Sequence, residues 1–307
     1  MSHRVRIGAR GSPLSRYQAT AVAGALRSAF PGAEIDLVWI TTMGDRDRSS
    51  SLASFGGTGV FTKEIEAALL AGEVDVAVHS LKDLPTRVAE GLSIGAVLER
   101  ADPRDAFVSA AGASLDSLPQ HPRIGTGSLR RSAQVLALRP DAEIAPIRGN
   151  VQTRVNKVAE LGLSGVILAA AGLLRLELGG HIAELLDPER FPHAPGQGAI
   201  AAECRADDEP TMAMLRAVDH AATHGAIGAE RAALRTIEAG CQAPFGVHCT
   251  YSHGGGIRLM GCVTAHDGSR QIRHAADGDD PLDVGRSVAE ELLTMGAREL
   301  LGPRSEG

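Results

Sequence analysis

One local unit recurs through the first two thirds of this chain and limits what it can fold into. A short apolar run passes through a turn bearing glycine and arginine and hands over to a helix signature. Val5-Arg6-Ile7-Gly8 leads to Gly11-Ser12-Pro13, where Ser12 suits a helix N-cap and Pro13 the first helical position. That helix runs to about Ser28, with Pro31-Gly32 beyond it. The unit returns at Ile124, through Gly125-Thr126-Gly127-Ser128-Leu129-Arg130-Arg131, and again where strand Glu143 to Ile147 meets Arg148-Gly149-Asn150. Between and around these junctions lie strands over Glu34–Thr41, Val74–Val78, Leu92–Leu98 and Val166–Ala170, a further helical turn, and an amphipathic helix over Phe61–Leu70. Strand–helix alternation with short loops specifies a mostly parallel α/β sheet.

The charged, proline-containing break Arg100 to Arg104 marks a crossing into a second domain. Gly196-Gln197-Gly198 precedes the apolar strand Ala199–Ala202, placed to return to the first. Two α/β lobes joined by double crossovers form a cleft, a common ligand location. The polar stretch Met43 to Gly59 lacks periodicity and exceeds usual connection lengths, so it reads as a mobile lid or disordered loop near 43–60. The last third differs: helix Gly225–Glu238, the turn Gly240-Cys241-Gln242-Ala243-Pro244, alternating strands Gly246–Tyr251, Ile257–Thr264 and Arg270–Ala275, and a closing helix Pro281–Leu301. Gly254-Gly255-Gly256 and His266-Asp267-Gly268 are its turns. The expected organisation is a first lobe of 1–101 with 197–218, a second lobe of 102–196, and a small α+β domain over 219–307.

Composition excludes several function classes. In 307 residues the formal net charge is -6, so the chain is not a globally basic nucleic-acid binder. No apolar run reaches the roughly 18 residues of a membrane helix, and Met1 to Arg10 contains no apolar leader. Cys204, Cys241, Cys249 and Cys262 read as reduced thiols, which places the protein in the cytoplasm. Lysine occurs only at Lys63, Lys82 and Lys157, leaving 28 arginines among 31 basic residues. A positive site here is an arginine site, suited to bidentate carboxylate or phosphate binding.

The junctions aim those arginines. Glycines at Gly125 and Gly127 let backbone N–H groups approach an anion, although the third glycine of a dinucleotide fingerprint and the Gly-Lys of a Walker loop are missing. Arg154 lies one turn beyond the capping Asn150 on the same face, so two junctions direct arginines to one sheet edge, where open α/β folds bind ligands. Arg10 is expected to face them from the other lobe. Ordinary turns with solvated arginines are the alternative, and Arg175 equally suits a helix C-terminus. Asp83, in Lys82-Asp83-Leu84-Pro85 after a strand, is either a turn former or an ionised carboxylate able to stabilise a cation, with Lys82 as its partner. Cys241 in its turn is either a small buried hydrophobe or an alkylatable thiol. With the arginines, the second reading suggests a covalently anchored polyanion. Cys241, His248, Cys249 and His253 also cluster, but their spacing matches no common zinc pattern and spans a strand; no metal is expected.

These motifs, in order, together with His79 to Pro85, Asp102-Pro103-Arg104-Asp105-Ala106-Phe107 and Gly196-Gln197-Gly198-Ala199, resemble porphobilinogen deaminase (hydroxymethylbilane synthase) over essentially the whole chain. The resemblance implies two periplasmic-binding-protein-like lobes around a cleft plus a small C-terminal α+β domain. It implies a transferase that condenses four porphobilinogen molecules head to tail, with loss of ammonia, onto a dipyrromethane primer held by a thioether, here on Cys241, and releases hydroxymethylbilane by hydrolysis. Catalysis falls to Asp83. Cofactor contacts fall to Lys82, Asp83, Thr126, Ser128, Arg130, Arg131 and Arg154, and substrate contacts to Arg10, Ser12, Arg148, Arg154, Arg175 and Gln197. A monomer and hand-off of product to uroporphyrinogen-III synthase are also implied. Some members carry lid lysines that this chain lacks over Ser54-Phe55-Gly56-Gly57-Thr58-Gly59. The competing expectations are a non-catalytic two-lobe binding protein for a small polycarboxylate and a zinc protein built on the C-terminal Cys/His group.

Overall fold

The computed structural model describes residues 4–46, 62–237, 243–251 and 255–301. The Cys241 turn and the lid beyond Arg46 lie outside them. In chain order the elements are β1 (Arg4–Arg10), α1 (Pro13–Ala29), β2 (Glu34–Ile40), α2 (Met43–Arg46), α3 (Lys63–Leu70), β3 (Val76–Ser80), β4 (Leu92–Val97), β5 (Asp105–Ser109), β6 (Arg123–Gly125), α4 (Leu129–Leu138), β7 (Glu143–Ala145), α5 (Val151–Glu160), β8 (Gly165–Ala169) and α6 (Ala170–Arg175). They continue with β9 (Ile182–Leu185), β10 (Ile200–Arg205), α7 (Glu209–Arg216), α8 (Ala221–Thr236), β11 (Phe245–Tyr251), β12 (Ile257–Thr264), β13 (Gln271–Gly278), α9 (Pro281–Thr294) and α10 (Ala297–Leu301). None of the described helices is long and apolar enough to cross a membrane.

The chain divides into two compact units, Met1–Ala101 with Gly198–Gly225, and Asp102–Gln197 with Ala226–Gly307. The first holds a five-stranded sheet in the order β2-β1-β3-β10-β4. β1 runs parallel to β2, with Ile7 opposite Leu37, and parallel to β3, with Ile7 opposite Val76. α1 forms because Ser12 caps it, Pro13 opens it, and Ala19, Val22, Ala23 and Leu26 recur on one face. That face packs on Val5, Ile7, Val76 and Val78. Burial of each Val or Leu there is worth about 1.5–3 kcal/mol.

The second unit holds a sheet ordered β7-β6-β8-β5-β9 and an antiparallel sheet β11-β12-β13. α9 covers the latter, burying Val284, Val288 and Leu292 against Leu259, Val263 and Ile272. This small sheet docks on the β6-containing lobe. Val247 N donates to His193 O at 2.8 Å, and Arg273 Nη2 donates to Arg190 O at 3.0 Å. The β12–β13 turn closes the contact. Gly268 sits at φ +75, and a Cβ there would meet the α4 backbone at Ala137 N and lie 2.5 Å from Leu136 C.

Several expectations need correction. Each α/β sheet is mostly parallel, as expected, but has one strand that runs against the other four. β10 inserts antiparallel between β3 and β4, and β5 pairs antiparallel with β8 and β9. Strands buried on both faces read as apolar runs whichever way they point, so periodicity carried no direction. β5, β9 and α7 were not anticipated. The helix expected over Pro281–Leu301 breaks after Thr294, where Gly296 takes φ +95 before α10 begins. The aperiodic stretch from Met43 opens with the short helix α2, whose Met43 N donates to Glu64 Oε1 at 2.6 Å.

Gly268→Ala combines a left-handed backbone with a collision against α4. It should lower unfolding free energy by about 2–4 kcal/mol in urea titrations followed by circular dichroism.

Candidate active site

In the first unit, β1 and β3 are parallel and deliver their C-terminal ends to one edge. Arg10 ends β1, half-buried. Ser12 Oγ accepts from Ser15 N at 3.3 Å and lies 2.8 Å from Ser15 Oγ. β3 ends at Ser80, and Leu81–Asp83 form a single 3-10 turn. The turn is held at both ends: Leu81 N donates to Ala199 O and Leu84 N to Leu81 O, each at 3.1 Å, while the Leu81 side chain is buried. Gln18, buried on α1, donates from Nε2 to Ser80 Oγ at 2.7 Å. Beneath the turn, buried His79 and Glu203 approach within 3.1 Å. A rigid base thus presents Asp83 to solvent. Its carboxylate makes no hydrogen bond or ion pair among the described residues.

In the second unit, β6 is parallel to both β7 and β8, so three junctions share one edge. After β6, Thr126 N donates to Ala145 O at 3.0 Å, and Thr126 Oγ1 accepts from Ser128 N at 3.2 Å. Ser128 caps α4, its Oγ accepting from Arg131 N at 3.4 Å. After β7, Asn150 Oδ1 accepts from Thr153 N and Thr153 Oγ1, both at 2.9 Å, and Arg154 Nε donates to Gly149 O at 2.8 Å. Lys157 Nζ donates to Arg148 O at 2.9 Å. Arg148 and Arg154 are half-buried, and Arg175 stands in the last turn of α6, after β8.

Arg130 and Arg131 are placed differently from the solvated arginines the motif allowed. Both are buried on Asp105, the fully buried first residue of β5. Arg130 Nη2 lies 2.8 Å from Asp105 Oδ2, and Arg131 reaches Oδ1 with Nη2 at 2.6 Å and Nε at 3.0 Å. Arg130 Nη1 also donates to Pro192 O at 2.8 Å and Arg131 Nη1 to Ile167 O at 3.1 Å. Gln197 completes the cluster, donating from Nε2 to Asp105 Oδ1 at 2.9 Å and to Pro103 O at 2.8 Å, and accepting from Arg131 at 3.3 Å. Burial opposes ionisation of Asp105, but the two guanidiniums and the donated hydrogen bonds more than offset it, holding the carboxyl well below the usual range. Two cations on one anion leave the cluster with a net positive charge.

Sequence reasoning missed Asp105 as this counter-ion, although it lies in the Asp-Pro-Arg-Asp-Ala-Phe motif. It also missed Glu230, buried on α8, whose Oε2 accepts from Gly196 N at 2.7 Å and steadies the loop carrying Gln197. Of the Cys/His group, His248 and Cys249 are neighbours on β11, while Cys241 and His253 fall outside the described residues. Among the described residues no three His, Cys, Asp or Glu side chains are grouped to hold a metal.

Two family profiles match this chain: "Porphobilinogen deaminase, dipyromethane cofactor binding domain" over residues 5–213, and "Porphobilinogen deaminase, C-terminal domain" over residues 225–294. The chain belongs to the porphobilinogen deaminase family. The porphobilinogen deaminase of Brevibacillus brevis is 46% identical over 296 residues, 96% of each chain. That of Pelobacter propionicus is 46% identical over 302 residues, covering 97% of this chain and 96% of its own. Among solved structures, the methionine binding protein MetQ is similar over 72% of this chain and 92% of its own, at 11% identity and a TM-score of 0.45.

The residues present suit the family's dipyrromethane group. Pyrrole N–H groups need an acceptor, which the exposed Asp83 carboxylate offers. Ring acetates and propionates need cations, and each unit taken by itself carries guanidiniums at its sheet edge: Arg10 in the first, and Arg148, Arg154 and Arg175 in the second.

Asp105→Asn would leave two buried guanidiniums without a counter-charge and should cost about 3–5 kcal/mol in denaturant unfolding. Because its folded pKa is depressed, the Asp105 contribution should be full above the unfolded value of about 4 and fall away as pH drops below it. Wild-type stability should therefore decline more steeply than that of Asp105→Asn between about pH 4 and 2, as read from thermal midpoints.

Proposed function

We propose that this protein condenses four porphobilinogen molecules head to tail, with loss of ammonia, onto a dipyrromethane primer attached through a thioether to Cys241, and releases hydroxymethylbilane by hydrolysis. The observation that carries this reading is Asp83: an exposed carboxylate with no hydrogen bond or ion pair among the described residues, on a braced turn, in a protein whose cationic side chains are almost all guanidinium. When bound, dipyrromethane supplies a nucleophilic ring carbon to which the next unit joins. Arg10 and Ser12 at the β1 edge, with Arg148, Arg154 and Arg175 in the second unit, take the acetate and propionate groups of the incoming and growing rings. Ammonia departure leaves a cationic methylenepyrrolenine on the substrate. Asp83 accepts the pyrrole N–H and offsets the positive charge as it develops, and a fixed anion does this without reorganising. Lys82, next to Asp83 on the same turn, offers its ammonium to a primer carboxylate, while Thr126 and Ser128 offer hydroxyls beside primer carboxylates. Arg130, Arg131 and Gln197 act through Asp105, which holds their guanidiniums and amide in place as a positively charged floor.

Membership of this family favours the catalytic reading over a binding protein for small polycarboxylates. The same reading carries a cytoplasmic location, a monomer and transfer of the product to uroporphyrinogen-III synthase.

Intact mass of the purified wild type should exceed the polypeptide mass by two linked pyrrole units, and Cys241→Ser should show neither this excess nor turnover. Full activity in that variant would exclude the thioether. Asp83→Ala should keep the adduct yet turn over about two to three decades more slowly, a loss of roughly 3–4 kcal/mol of transition-state stabilisation. Near-normal turnover would place the chemistry elsewhere.

A further inference from the structure

The β1–α1 junction and the β7–α5 junction share a seven-residue pattern. Arg10-Gly11-Ser12-Pro13-Leu14-Ser15-Arg16 matches Arg148-Gly149-Asn150-Val151-Gln152-Thr153-Arg154 at both arginines, the glycine, the capping residue and the hydroxyl residue of the first turn. The match extends to geometry. Ser12 accepts from Ser15 N as Asn150 accepts from Thr153 N, and the two hydroxyl pairs sit at 2.8 and 2.9 Å. Arg16 Nε donates to Gly11 O at 3.0 Å as Arg154 Nε donates to Gly149 O at 2.8 Å. The glycines differ, since only Gly149 adopts a positive φ, of +115. Arg154 is one of the residues assigned above to pyrrole carboxylates; Arg16 is its counterpart in the first unit and has no role so far.

We infer that Arg16 is a further carboxylate-binding residue, its guanidinium held on the indole of Trp39 to take a ring acetate or propionate of the pyrrole substrate. The inference rests on the function proposed above. The Arg16 guanidinium carbon lies 4.4 Å from the centroid of the Trp39 ring, on β2 beside β1. One face is therefore covered, Nε is spent on Gly11 O, and the two terminal nitrogens make no hydrogen bond or ion pair among the described residues. Stacking and the Nε bond restrict a long side chain before any ligand arrives, so less rotamer freedom is left to lose on binding and the fork stands ready. The first turn of α1 contains no acidic residue to neutralise it. Arg4, Arg6 and Arg205 of the same unit, by contrast, are each bound to a carboxylate of the chain: Asp36, Asp75, and both Asp75 and Asp208. Arg16 lies one helical turn from Ser12 and just beyond Arg10, so a carboxylate on its terminal nitrogens stays beside the residues that take the substrate.

The test uses the purified, primer-loaded enzyme with porphobilinogen. Arg16→Gln should raise KM roughly five- to tenfold, the loss of one charge-assisted contact, with kcat within about twofold and an unchanged thermal midpoint. Arg16→Lys should fall between the two. Trp39 is the only tryptophan, so its emission reports the stack directly. Porphobilinogen should shift that emission in the wild type, and Arg16→Gln should lose the response at sub-saturating substrate. A wild-type KM together with a wild-type emission response in Arg16→Gln would overturn the inference and leave the proposed function standing. A wild type that does not consume porphobilinogen would overturn the function, and the inference with it.

Discussion

Asp105 is sealed from solvent at the first position of β5 and carries Arg130 and Arg131 on its two oxygens, with the Gln197 amide bonded to the same carboxylate. Four segments far apart in sequence meet there: the start of β5, the first turn of α4, the Pro192 carbonyl and the loop before β10. Desolvating three charges is expensive, and burial of this kind is weak evidence for stability. Its value lies in geometry. Once the carboxylate is in place, the first turn of α4 cannot rotate, the Gly196–Gly198 loop cannot drift, and the edge at which Ser128 and Thr126 stand is set. The unbalanced positive charge then biases that edge toward anions without spending an exposed side chain.

Much of the fold was legible because its signals are local. Ser12 and Asn150 were read as caps, and each accepts the backbone hydrogen bond expected of it. Strand and helix positions follow hydrophobic periods of two and 3.6 residues. Strand direction is not local. Nothing in Ile200–Arg205 says that it runs against β3 and β4, and nothing in Ala106-Phe107-Val108 distinguishes an antiparallel partner of β8 from a parallel one. The break at Gly296 was missed because one glycine inside an otherwise helical run is usually tolerated.

The site divided in the same way. Residue types at strand ends pointed to Arg10, Asp83, Arg148 and Arg154, since parallel strands bring their C-terminal ends together whatever the sheet order. What an arginine does there depends on partners distant in sequence. Arg130 and Arg131 look like Arg148 and Arg154 in one dimension, yet Asp105 claims the first pair. Arg16 escaped notice for the opposite reason: its neighbour Trp39 lies on another strand, and only the fold brings the ring under the guanidinium.

The position of β10 bears on how the chain acquires its shape. β3 and β4 are separated in the finished sheet by a strand made about a hundred residues later, and Ala199, at the start of that strand's approach, holds the turn presenting Asp83. While the ribosome is still extending the middle of the chain, the first sheet has a gap where its fourth strand belongs and two unsatisfied edges facing it. Such edges recruit other strands, including those of neighbouring nascent chains. Biogenesis of this protein is therefore bound to a late insertion event, and a fragment that contains Asp83 but ends before Ala199 lacks both the carbonyl that holds the Leu81–Asp83 turn and the strand beside it.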